Sequence, residues 1–559
     1  MITGDVVTVD TFPDGTRAVT PEPGPGRTDV SFLRWSRNGA VTVVPSDALG
    51  LLDRGVLDPA LFDVTGLISQ GYDDRSTSVL PLIVRYAAAP APNATDTSGA
   101  RATVSAAATA GRELPSIQGQ AVAERKADAA EFWRSVAAPA PGARLAPGAA
   151  PDALTPGVAK IWLDGRVQAS LDQSVPQVGA PEAWRGGWTG AGVRTAVLDT
   201  GIDPGHPDLT DAVVGAADFT GNPHGTVDGS GHGTHVASII TGSGAASAGR
   251  LAGVAPDTQL LVGKVLDDYG DGTYSQIIAG MEWAVAQQAR VVNMSLGSGP
   301  TDGTDPMSLA VDTLSASSGA LFVIAAGNEG GPGTVSAPST AASALSVGAV
   351  DADNRVADFS SRGPRTGDHA VKPEITAPGV AIAAARAAGT SRGEPIDDHY
   401  TRLGGTSMAA PHVAGAAAIL AQRHPDWTGA QLKDALVGTA SPGPDTVFDQ
   451  GAGRVDVAAA VGGTVSASPS ALSTYLRWPS TAPVARTVTY RNDGDQPVVL
   501  DLAVTADPGA PLRLDTPRVT VAPHATAEVT ITIDPAASDT GTYGGVLTAR
   551  GPDGTALIR

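Results

Sequence analysis

Between residues 172 and 463, short apolar runs recur at intervals that a helix can fill, and this alternation constrains the fold of the 559-residue chain more than any other feature. Buried-strand candidates lie at 195–198, 260–265, 291–294, 321–325 and 344–350. Helical segments fall between them, among them 273–288 and 408–422. Strand–helix alternation over such a length predicts an α/β domain whose mainly parallel sheet carries helices on both faces.

The flanks differ in texture. Residues 1 to about 90 mix alternating runs (6–9 and 41–44) with turn residues, a helical-looking piece at 47–68 and a strand at 82–86. From about 87 to about 156 the chain is rich in Ala, Pro, Gly and Thr and reads as linker. One helical pattern stands out there, with Val122, Ala129, Phe132, Trp133 and Val136 on one face. After residue 464 the runs 484–490, 498–504 and 529–533 alternate with period two, and Pro552, Asp553 and Gly554 mark a turn. This predicts a small fibronectin-type-like β-sandwich. The division is thus an α+β region at 1–170, a central domain at 171–463 and a sandwich at 464–559, which stops straight after an apparent strand and leaves room for more protein.

A formal charge of −20, from 37 Lys and Arg against 57 Asp and Glu, argues against a nucleic-acid partner. Cysteine is absent, which removes a disulfide framework, a thiolate metal site and a thiol nucleophile. No run of 18 apolar residues offers a membrane span.

Three motifs carry chemistry. Gly404-Gly405-Thr406-Ser407-Met408-Ala409-Ala410-Pro411-His412 sets a serine at a helix N-terminus, where unpaired N–H groups favour developing negative charge. Pro411 reads as lying near the helix start, where a missing N–H costs least. Gly231-His232-Gly233-Thr234-His235 gives one histidine flanked by glycines, suited to a cleft, and a second followed by apolar residues, suited to the interior. A metal site on the two lacks an acidic third ligand at useful spacing. Finally, the run ending Leu198-Asp199-Thr200-Gly201 sets a carboxylate at the C-terminal edge of a parallel sheet, where open α/β folds hold their sites. Each motif alone has a plainer reading: a glycine-capped core helix, a satisfied interior histidine, an Asp capping a turn.

Together, in the order Asp199, His232, Ser407, they resemble the subtilase family, and the likeness covers about half of the chain. The resemblance implies a serine endopeptidase with Ser407 as nucleophile, His232 as base and Asp199 orienting that base. Ala325-Ala326-Gly327-Asn328 resembles the family's oxyanion segment, which makes Asn328 a side-chain donor to the tetrahedral intermediate. Gly270, Asp271 and Gly272 resemble the edge that pairs with an extended peptide, and Ser295, Leu296 and Gly297 the opposite wall. Ala326 and Gly327, with Ser336 near the base, complete a small, uncharged pocket for large apolar side chains, and Ala337-Pro338 resembles a cis-proline position. Asp267, Asp268 and Asp271 form an acidic rim, read first as a solvated face and second as favouring basic residues further from the scissile bond. Sedolisin-like acid peptidases carry glutamate and aspartate where this chain has His232 and Asn328. An inactive binding module and an aminopeptidase remain the other readings.

No cofactor is expected for the chemistry. The resemblance implies a structural calcium ion with Gln173 and Asp208 at two ligand positions, yet residues 240–250 lack the carboxamide ligand and argue against it. Segments 61–67, 71–74, 80–86 and 160–165 resemble the propeptides of actinobacterial-type secreted subtilases. They imply a secreted zymogen whose leader has been removed, with the chain's own N-terminal region as inhibitor beside protein or peptide substrates. Residues 158–163 are expected to lie in the substrate cleft as an added strand, with self-cleavage between about 163 and 173.

Overall fold

The computed structural model describes the chain except for residues 12–16, 38–39, 70, 88–96, 115–117, 138–152, 165–170, 478, 481, 552–555 and 559. Two compact units result, Met1–Val167 and Gln168–Arg559. The turn expected at residues 552–554 and residues 88–96, 115–117 and 138–152 of the expected linker lie outside the described residues.

In the larger unit the apolar runs become a parallel sheet of seven strands: β1 (Arg194–Asp199), β2 (Val213–Asp218), β3 (Gln259–Lys264), β4 (Val291–Met294), β5 (Leu321–Ala325), β6 (Leu345–Val350) and β7 (Ile375–Pro378). Their spatial order is β2-β3-β1-β4-β5-β6-β7. Alternate side chains feed two apolar layers. Val197, Val323 and Val347 face the layer holding α1 (His232–Thr241) and the long α4 (Thr406–Arg423). Leu198, Phe322 and Ile324 face the layer holding α2 (Tyr274–Ala286) and α3 (Pro306–Ser318). Burial on both faces is why these strands read as continuous apolar runs rather than alternating ones. β2 and β7 escape the pattern because they are edge strands, one broken by Gly215 and Ala216 and the other ending in Pro378.

Beyond the sheet, two four-stranded antiparallel sheets pack as a sandwich. Val484–Asn492 and Ala525–Ile533 belong to one and Val498–Ala506 and Gly545–Arg550 to the other, around Val488, Tyr490, Leu500, Leu502 and Val529.

The N-terminal unit centres on an antiparallel sheet in the order Ala108–Leu114, Gly119–Arg125, Val79–Tyr86, Val158–Leu163. Four expectations change here. The piece at 47–68 is not one helix but Leu49–Asp53, a 3-10 turn Pro59–Phe62 and Val64–Ser69, since Pro59 excludes the residue before it from helical geometry. Val122 is not on the helix of Ala129–Val136; it sits in a strand opposite Leu82, and both reach one core, which is how they mimic a single apolar face. The segment 158–163 is the edge strand of this unit's own sheet, paired with Val79–Tyr86 and with Ile161 fully buried, and is not a free strand. Within the stretch read as linker, Thr97–Ala107 is helical and Ala108–Leu114 a strand, hidden by their Ala- and Thr-rich composition.

Candidate active site

Asp199 ends β1, next to the middle of the sheet, and is 1% exposed. Its Oδ1 accepts the Thr200 N–H at 2.8 Å and lies 2.7 Å from His232 Nδ1. A carboxylate can only accept, so Nδ1 carries the proton and Nε2 is left as a lone-pair acceptor. His232 opens α1, and Gly233 behind it lets that helix close onto the Asp199 turn. A Cβ at 233 would meet the Gly201 carbonyl at 2.3 Å and the Asp199 Cβ at 3.3 Å.

A residue not singled out from sequence supports this corner. Asp228, 2% exposed, accepts Thr200 Oγ1–H, Ser230 N–H and Gly231 N–H on one oxygen and both Thr234 N–H and its hydroxyl on the other. Thr200 Oγ1 in turn accepts the Gly233 N–H at 2.9 Å. Asp228 therefore caps the helix that presents His232 and braces the residue beside Asp199, with its charge at the positive helix end. The available signal was a carboxylate four residues before His232, just ahead of a helix start.

Ser407 is the second residue of α4. Its hydroxyl donates to the Ser295 carbonyl at 3.1 Å and, among the described residues, makes no hydrogen bond to His232. Pro411 lies deeper than expected, in the second turn of the helix, where its missing N–H would have bonded the Ser407 carbonyl. Ser295 Oγ supplies the substitute, donating to that carbonyl at 2.7 Å. The cost of an interior proline is thereby offset from the segment after β4.

Asn328 follows β5, and its Oδ1 accepts the Thr406 N–H at 2.8 Å and the Thr406 hydroxyl at 3.1 Å. That fixes the carboxamide and leaves Nδ2 to donate on the side of Gly405, from whose Cβ position Nδ2 and the Ser407 N lie 3.5 and 3.7 Å away. Gly297 and Gly327 converge on Ser336: side chains at those glycines would approach its Oγ to 2.6 and 2.8 Å. Ala326 is fully buried and its carbonyl accepts from Ser336 Oγ at 3.2 Å. Small residues thus surround Ser336, and the Ala337–Pro338 bond is cis.

The acidic rim is partly exposed and also structural. Asp267 accepts the Tyr269 and Asp271 N–H groups and shapes the turn at 267–271. Asp268 pairs with the wholly buried Lys264 at 2.7 Å and accepts Asn222 Nδ2, and the Lys264 bond holds its carboxyl below the usual range. Lys264 also donates to the Thr200 carbonyl, tying the edge segment to the Asp199 turn. Asp271 is the most exposed of the three. Tyr274 OH, at the start of α2, lies 3.2 Å from Ser298 Oγ in the segment after β4.

His235 and His412 are structural. His235 donates Nε2–H to the Ile382 carbonyl, and burial pushes its pKa down to about 3. His412 bridges the Met408 carbonyl and Ser174 Oγ, and burial pushes it down to about 4. An unperturbed histidine titrates near 6.5, so below that pH the unfolded chain binds more protons, and stability falls as pH drops toward those depressed values. The urea midpoint is expected to be lower at about pH 5 than at about pH 7, and His412→Gln should reduce that slope. An identical slope in the variant would remove His412 from the account.

A sequence profile described as the Subtilase family matches residues 190–454. Subtilisin E of Bacillus subtilis (strain 168) is 43% identical over 315 residues, covering 55% of this chain and 76% of that protein. Subtilisin of Bacillus pumilus is 44% identical over 297 residues, 52% of this chain and 98% of that protein. An alkaline protease of Alkalihalobacillus alcalophilus is 41% identical over 312 residues, 55% of this chain and 75% of that protein.

Proposed function

The chain belongs to the subtilase family and is a serine endopeptidase, and from that premise we propose that Ser407, His232 and Asp199 carry its acyl transfer and that residues 1 to about 170 are a propeptide. The observation that carries the catalytic assignment is the 2.7 Å bond from His232 Nδ1 to buried Asp199, which reserves Nε2 for a serine proton. Ser407 Oγ turns from the Ser295 carbonyl toward Nε2, passes its proton there and attacks the scissile carbonyl. The resulting oxyanion takes hydrogen bonds from Asn328 Nδ2 and the Ser407 N–H, at the positive end of α4. The imidazolium, stabilised by Asp199, then protonates the leaving amine, and water releases the acyl group by the same steps in reverse.

Substrate lies extended between Gly270, Asp271 and Gly272 on one side and Ser295, Leu296 and Gly297 on the other, with a large apolar side chain over Ala326 and Gly327. Secretion of the enzyme, with protein or peptide substrates, follows from the zymogen reading, which is supported by the separate compact unit Met1–Val167. Among the described residues, no helix is long and apolar enough to cross a membrane.

Mass spectrometry of the incubated chain beside its Ser407→Ala variant tests the reading. Wild type should shed its first roughly 170 residues, between about 163 and 173, and cut added peptides after large apolar residues. The variant should stay full length, and the isolated N-terminal piece should inhibit the mature enzyme. A fully active, uncut wild type would show the region to be a permanent domain, and cuts dominated by Asp or Glu would refute the pocket.

A further inference from the structure

Family resemblance puts Asp208 at a calcium-ligand position, and its surroundings can be tested against what a calcium ion requires. A hard cation takes six to eight oxygen ligands at about 2.3–2.6 Å, with carboxylate lone pairs turned toward it. Asp208 is 3% exposed, and both its oxygens face hydrogen-bond donors. Oδ1 accepts the Ala246 N–H at 2.9 Å and Oδ2 the Tyr400 hydroxyl at 2.8 Å. A backbone N–H turns its positive end to the carboxylate and occupies the direction a cation would need.

The rest of the loop is similarly engaged. The Ser243 N–H donates to the Asp208 carbonyl at 3.0 Å. Ser247 Oγ donates to the Gly244 carbonyl at 3.0 Å and accepts the Leu251 N–H at 2.9 Å. The Gly244 carbonyl also takes the Ser247 and Gly249 N–H groups, both at 2.9 Å. His206, 3% exposed, accepts the Asp208 N–H on Nδ1 and donates Nε2–H to the His399 carbonyl at 2.8 Å, while its ring packs edge-on against Tyr400. Among the described residues, no group of three or more His, Cys, Asp or Glu side chains could hold a metal ion. The residues present do not fit calcium.

We propose that Asp208 is a metal-free anchor. Through Ala246 and Tyr400 it ties the loop after the His232 helix to the strand Tyr400–Leu403 that leads into Ser407. Hydrogen bonds to a carboxylate thus do the work of an ion, and the loop at 243–250 keeps its conformation in chelating solution. This stands apart from the catalytic assignment, since it concerns only what holds the loop.

Hydrogen exchange of the full chain, followed by mass spectrometry over peptides spanning 243–250, tests it. With excess chelator or with millimolar calcium, wild type should exchange at the same rate in this loop. Tyr400→Phe, which removes one hydrogen bond to a charged group, should speed exchange there about tenfold, and calcium should not restore it. Chelator-accelerated exchange in wild type, reversed by calcium, would overturn the proposal, as would an unchanged loop in Tyr400→Phe. Should that variant fail to fold, the wild-type comparison decides alone.

Discussion

Ser407→Ala and His232→Ala are each expected to lower kcat by about 10⁶, the scale set by the same substitutions in subtilisin itself, while leaving the fold in place. Such a loss is the measure of a unit that works together: without the hydroxyl no acyl-enzyme forms, and without Nε2 the hydroxyl keeps its proton. The fold should survive because α4 does not depend on the Ser407 side chain. It is the Ser407 carbonyl, retained by alanine, that holds Ser295 Oγ and compensates for Pro411. The catalytic domain of each purified variant should therefore still unfold cooperatively, near the temperature of the same domain in wild type. Turnover near wild type in either variant would end the mechanism for this chain.

Asn328→Asp is expected to lower kcat by at least about 10²–10³, a range that comes from subtilisin's own oxyanion asparagine, with KM changing little. The substitution is chosen because Asn328 does two things. Its Oδ1 accepts the Thr406 N–H and hydroxyl, and aspartate keeps that acceptor. What aspartate loses is the Nδ2 donor, and it adds negative charge where negative charge develops. A donor used mainly in the transition state should register in kcat rather than KM. An equal rise in KM with kcat retained would make Asn328 a substrate-binding residue instead.

The central sheet was legible because its inner strands are buried on both faces and their apolar runs end abruptly, β1 in Asp-Thr-Gly and β5 in Ala-Gly-Asn. Asp199, His232, Ser407 and Asn328 stand where those strands and the helices α1 and α4 begin or end, so each motif carried its own local mark. What stayed hidden depends on partners distant in sequence. Asp228 sits in Asp-Gly-Ser-Gly, which reads as any turn, until Thr200 and Thr234 arrive to be bonded. The exchange between Ser295 and Ser407 spans 112 residues and exists only because Pro411 leaves a carbonyl open. The Asp268–Lys264 pair is the exception, only four residues apart and with Lys264 inside the run 260–265 already read as a buried strand. In the N-terminal unit, Val122 and the helix Ala129–Val136 share a core without sharing an element, a distinction that apolar spacing cannot draw.

Labelling with a fluorophosphonate, read as intact mass and then by peptide mapping, tests the central assignment most directly. Wild type, incubated until its mass is constant, should gain a single adduct on the peptide containing Ser407. Ser407→Ala should gain none, and His232→Ala should react orders of magnitude more slowly, because the serine would lack its base. An adduct on another residue, or a wild type that never reacts, would contradict the account.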